Sequence, residues 1–95
     1  MSASPEQVGT TAQVVLGADL HARPAGQVAR VAATFEAEVS VATEVRSANA
    51  RSVLAVMGLG AQAGETVHVT ATGTNAAAAV TAIAQVLATA EAVAH

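Results

Sequence analysis

Ninety-five residues with a formal charge of −3, four arginines, no lysine, one aromatic residue and no cysteine leave several functions without their chemistry. Nucleic acid would find neither a basic stripe nor a stacking platform, and disulfides, thiolate metal sites and cysteine nucleophiles are excluded. Alanine, 26 of the 95 residues, swells the 53% hydrophobic share, so the core rests on Val, Leu, Ile and one Phe: enough for one domain, but not for a deep cleft of its own.

That domain is expected to span residues 1–95, with 1–7 as a flexible N-terminal segment. Met1 to Gln7 is polar and lacks the charged and apolar regions of a signal peptide. From Val8 the chain alternates, with Val8, Thr10, Ala12, Val14 and Leu16 on one side, which predicts a half-buried strand until Gly17 to Asp19 breaks it. After Ala22 the period changes: Ala25, Val28, Ala29, Ala32 and Phe35 fall on one face of a first helix. Glu38 to Thr43 alternates again, with Val39 and Val41 inward, and Val45 to Ala48 is expected to return beside it after a turn near Glu44.

Ser52 precedes Val53 to Met57, which reads as an N-capped short helix closed at Gly58 as a left-handed glycine. Gly64 and Gly73 bracket a strand with Val67, Val69 and Ala71 inward and Thr66, His68, Thr70 and Thr72 outward. Thr74 or Asn75 can cap the last helix, whose apolar face is Ala76, Ala79, Val80, Ile83 and Leu87. Thr81, Gln85, Thr89 and Glu91 interrupt the Ala76 to Ala94 stretch, so membrane insertion is not expected and a soluble, cytoplasmic protein is. The order βαββαβα predicts an α+β fold with the helices grouped on one face of an antiparallel sheet.

The chemistry concentrates in Leu20-His21-Ala22-Arg23-Pro24-Ala25. His21 falls where a helix begins, and there the first backbone N–H groups, those of Ala22 and Arg23, lack intrahelical partners and the dipole favours an anion. Pro24 loses no hydrogen bond in a first turn. Arg23 supplies a guanidinium that can grip two phosphate oxygens, and a neutral imidazole offers a nitrogen lone pair as nucleophile. The pattern is that of a histidine that accepts, holds and passes on a phosphoryl group.

These residues, together with Ala50-Arg51-Ser52-Val53-Leu54 leading to Met57-Gly58-Leu59-Gly60, resemble the histidine-containing phosphocarrier family of the bacterial sugar phosphotransferase system. The resemblance covers about Val8 to Leu87. It implies an open-faced β-sandwich: a four-stranded antiparallel sheet covered on one face by three helices. It implies phosphorylation of His21 on Nδ1 by a phosphoenolpyruvate-dependent protein kinase of the enzyme I type, and transfer to a sugar-permease subunit of the enzyme IIA type. Arg23 would steady the phosphate in both encounters. It also implies that Ser52 can be a regulatory phosphorylation site.

Three positions depart from the family pattern. Asp19 stands where Gly is common, and is expected either to weaken phosphate affinity or to adopt the same backbone, since Asp enters left-handed conformations more readily than most residues. Glu44-Val45 replaces a frequent Asn-Gly, so the turn should differ in type or length. Ala55 stands where some relatives carry Lys, which leaves the docking surface more apolar.

Each assignment has a bland counterpart. Arg23 in a first turn opposes the helix dipole, which favours a functional role over a solvated one. Ser52 can be a helix cap alone. A five-residue helix cannot bury every side of an apolar run, so some of Val53, Leu54, Val56 and Met57 should be exposed, with Val53, Leu54 and Met57 as the docking patch. Arg30, on nearly the same face as Arg23, either meets an acidic partner or is merely solvated. His68 and His95 read as structural or simply exposed. With no second ligand at a usable spacing, neither a metal nor another cofactor is expected. The leading reading is therefore a monomeric phosphocarrier without a reaction of its own. The alternatives are a regulatory protein-binding module of the same fold, or a carrier for a nitrogen-related or dihydroxyacetone-kinase system.

Overall fold

A computed structural model describes residues 9–90. The expected flexible segment 1–7, the strand start at Val8, Glu91 and His95 lie outside the described residues. The elements are β1 (Gly9–Val15), α1 (Ala22–Ala32), β2 (Glu38–Ala42), β3 (Ser47–Asn49), α2 (Val53–Met57), β4 (Thr66–Thr72) and α3 (Ala76–Thr89), in the order βαββαβα.

The four strands form one antiparallel sheet in the order β1-β4-β2-β3. Alternation decides which side is covered. Val14, Val39, Val41, Val67, Val69 and Ala71 are buried under the helices, whereas Thr11, Thr66 and Thr72 face outward and are exposed, and His68 and Thr70 are half-buried. A 3.1 Å contact between the Thr11 and Thr70 hydroxyls crosses strands on the open side. The helix α3 packs on β1 and β4, and α1 packs against both α2 and α3. The apolar face expected for α3 is its buried set: Ala76, Ala79, Val80, Ile83 and Leu87. In α1, Pro24, Ala25, Val28 and Ala32 are buried, while Phe35 falls beyond the helix end and is half-buried.

Three local expectations need correction. The third strand is Ser47–Asn49, not Val45 to Ala48, and Val45 is 84% exposed. The Thr43 hydroxyl accepts the N–H groups of Val45 and Arg46 at 3.3 and 3.2 Å, and the Thr43 N–H donates to the Arg46 carbonyl. A side chain that satisfies the backbone in this way holds a turn where a ladder would otherwise begin. Gly58 is right-handed (φ −65°), and the left-handed residue is Gly60 (φ +67°). The chain continues another turn to bury Leu59 before it reverses. Asn75 does precede α3, but its side chain makes no capping bond; it adopts φ +61°, which Asn tolerates, after Gly73 at φ +101°.

Gly17 joins the segment before α1 to the end of α3 through a 3.0 Å bond from its N–H to the Leu87 carbonyl. A Cβ there would lie 2.7 Å from the Ala88 carbonyl oxygen and closer still to that of Ala90. Both obstacles are backbone, so Gly17→Ala is expected to destabilise by about 1–3 kcal/mol. The urea midpoint checks this: an unchanged midpoint would show that the segment gives way freely.

Candidate functional site

The segment Leu16 to Leu20 delivers His21 to the start of α1, and it is stitched to the loop at 61–65. Leu16 N–H donates to Glu65 O (2.9 Å), Gly64 N–H to Leu16 O (2.9 Å) and Leu20 N–H to Ala61 O (3.0 Å). Leu16, Ala18 and Leu20 bury their side chains, at 3%, 3% and 2% exposure. The alternation that sinks Leu20 turns its neighbours outward, and the His21 side chain is 82% exposed.

His21 is the N-cap residue of α1, with extended backbone (φ −80°, ψ −173°) and no side-chain capping bond. Its carbonyl accepts the Ala25 N–H at 3.0 Å. Pro24 has no N–H, so the first turn presents the Ala22 and Arg23 amides as donors without an intrahelical partner. Ala22 and Arg23 are exposed, and Arg23 enters no ion pair among the described residues. An imidazole, two amides without an intrahelical partner and an exposed guanidinium at one helix start place hydrogen-bond donors and a nucleophile on one surface, a combination suited to an anion. A shallow depression on the open side of the sheet, lined by Ser40, Ser47, Asn49, Thr70 and Thr72, contains no residue of the His21 segment.

Asp19 does not adopt a left-handed backbone; among the described residues the positive-φ residue other than glycine is Asn75. Its Oδ1 instead accepts the Ala63 N–H at 2.8 Å, and its Oδ2 lies 3.9 Å from His21 Nε2. Sequence reading missed this link because its partner is 44 residues away.

Ser52 caps α2, its Oγ accepting the Ala55 N–H at 3.1 Å, and it is half-buried. Loss of that bond in Ser52→Ala is expected to cost about 1 kcal/mol, read as a lowered urea midpoint. Beside it, Arg51 reaches back over α1: its Nε donates to Ala32 O and its Nη2 to Phe35 O, where the helix ends. A cation there complements the negative end of the dipole. Nothing local in the sequence marks that role. In α2, Leu54 is 81% and Met57 36% exposed, Val53 is half-buried and Val56 fully buried. Arg30 lies exposed in the last turn of α1. Among the described residues, no group of three His, Cys, Asp or Glu side chains could hold a metal ion, and no helix is long and apolar enough to cross a membrane.

The structure is an open-faced α+β sandwich with an exposed histidine at the start of its first helix. The family model described as the PTS HPr component phosphorylation site matches residues 8–89. The phosphocarrier protein HPr of Haloferax volcanii is 42% identical over 84 residues, 86% of this chain and 94% of that protein. Among solved structures, HPr of Bacillus anthracis superposes with a TM-score of 0.78 at 26% identity, covering 83% of this chain and 96% of that one. The Bacillus subtilis catabolite repression protein Crh, solved as a swapped dimer, gives 0.69 at 28% identity over 78% and 85% of the two chains. The chain belongs to the HPr family of phosphocarrier proteins of the phosphotransferase system.

Proposed function

We propose that the chain carries a phosphoryl group on His21 Nδ1 from an enzyme I type donor, itself charged by phosphoenolpyruvate, to an enzyme IIA type acceptor serving carbohydrate uptake. The observation that carries this reading is the 82% exposed imidazole at the N-cap of α1, beside two unpartnered amides and Arg23. The Nδ1 lone pair attacks phosphorus in line, the bond from phosphorus to the donor's nucleophile breaks, and its electron pair stays with the donor. The second transfer repeats the exchange with His21 as the leaving group. Ala22 and Arg23 amides and the Arg23 guanidinium hold the phosphoryl oxygens while the partner's surface excludes water.

Arg23→Ala removes a charge-assisted contact and is expected to slow transfer by about tenfold or more without abolishing it. Val53, Leu54 and Met57 are the apolar part of the docking surface, Arg30 its charged edge, and Ser52 the position at which a regulatory phosphate would act. The carrier acts as a cytoplasmic monomer that binds no cofactor; light scattering at the mass of one 9.3 kDa chain checks the monomer, and a stable dimer would overturn it.

The test of carriage is a relay. Labelled phosphoenolpyruvate, donor and acceptor are combined with and without this chain, and label should reach the acceptor only when the chain is present. A chain that becomes labelled but never discharges would contradict a carrier and favour a regulatory binding module.

A further inference from the structure

We propose that Asp19 is a positioning residue for His21: its carboxylate holds the Nε2 side of the ring, so that the proton sits on Nε2 and the lone pair on Nδ1. This rests on the reading of His21 as the phosphoryl acceptor and adds which group sets its reactive nitrogen.

Asp19 and His21 flank Leu20, whose side chain is buried, and the His21 N–H donates to the Asp19 carbonyl at 2.8 Å, so a tight turn at Leu20 brings the two outward-facing side chains together. The Asp19 carboxylate is anchored, because Oδ1 accepts the Ala63 N–H at 2.8 Å and that loop is itself tied to Leu16 and Leu20. Its second oxygen is therefore presented from a fixed point, 3.9 Å from His21 Nε2. That separation exceeds a hydrogen bond, and such contacts commonly tighten only when the reacting partner is bound.

An anion on that side acts twice. It favours an Nε2–H donor facing it over a bare nitrogen, which selects the tautomer whose Nδ1 is nucleophilic. It also repels a dianionic phosphoryl group from Nε2, which directs bond formation to Nδ1. During transfer no proton moves: the Nδ1–P bond forms, the donor–P bond breaks with its electron pair going to the donor, and the Nε2–H remains against Asp19. The positive charge that the ring acquires then lies beside a carboxylate. A glycine at position 19 offers neither effect.

The side chains are 82% and 43% exposed, so water screens the pair and the effect is no larger than that of an exposed ion pair. Asp19→Asn keeps an oxygen for the Ala63 N–H and removes the charge, which separates positioning from loop anchoring. Ring-nitrogen NMR of the full chain reads the His21 tautomers directly. The Nδ1–H fraction should rise about two- to fivefold in Asp19→Asn, and phosphoryl acceptance should slow by a similar factor. The gap between the two proteins should narrow in about 1 M salt. Equal tautomer ratios in the two proteins, or a shifted ratio with an unchanged rate, would overturn the role of Asp19. Failure of the unsubstituted chain to accept phosphoryl at all would instead overturn the carrier reading, and the NMR comparison keeps the two failures apart.

Discussion

His21→Ala should abolish phosphoryl acceptance and leave the denaturation curve where it was. Both halves follow from position. The imidazole is 82% exposed and its one side-chain approach among the described polar contacts is that of Asp19 at 3.9 Å, so the fold loses almost nothing with it; surface substitutions of this kind stay within about 0.5 kcal/mol. The N-cap backbone that starts α1 is retained, because the first helical bond uses the residue-21 carbonyl and not its side chain. On the proposed function, phosphoryl acceptance loses its nucleophile outright, and the neighbouring amides and Arg23 cannot form a bond to phosphorus in its place. A stopped-flow or gel-shift assay with the donor reads the first half and a urea titration the second. Retained acceptance with an intact fold would place the phosphate elsewhere.

Ile83→Ala should give the largest loss of stability of the conservative core truncations. Ile83 is fully buried in α3, which lies over β1 and β4, and Val67 and Val69 on β4 are also fully buried. Removing three heavy atoms from such a site leaves a cavity that two rigid layers cannot close, at a cost of about 3–4 kcal/mol. Against a total of about 5–10 kcal/mol for a domain of this size, that is a large share. The expected fall in Tm is on the order of 15 °C. Ile83→Val, which keeps the branch, should cost about 1 kcal/mol. Calorimetry of the two variants measures both, and a drop of less than about 5 °C for Ile83→Ala would mean that α3 settles onto the sheet and refills the space.

The sequence was most legible where one physical signal dominated. Period-two alternation located β4, because Gly64 and Gly73 closed it on both sides and every inward position was Val or Ala. The face of α3 was legible for the same reason, a run of Ala, Val, Ile and Leu at helical spacing with no competing glycine or proline. The placement of the candidate site was legible through types of residue: a histidine, an arginine and a proline within four positions at a strand-to-helix junction, where His21 is the N-cap of α1. What escaped was local competition and long range. Thr43 diverts two amides into a turn, which moved β3 onward and left Val45 in solvent. The left-handed glycine that the sequence places at Gly58 is Gly60, because burying Leu59 requires another turn. The Arg51 tie to the end of α1 and the Asp19–Ala63 link join residues 16 to 44 positions apart, and pairs at that separation leave no mark on local periodicity.

The central claim is that His21 is where the phosphoryl group resides. The most direct measurement is the mass of the intact chain after incubation with phosphoenolpyruvate and an active donor, before and after mild acid, with the modified residue located by fragmentation under neutral conditions. A gain of one phosphoryl group on His21, lost in acid, is expected. A gain that survives acid, or one located on Ser52 or any other residue, would contradict it.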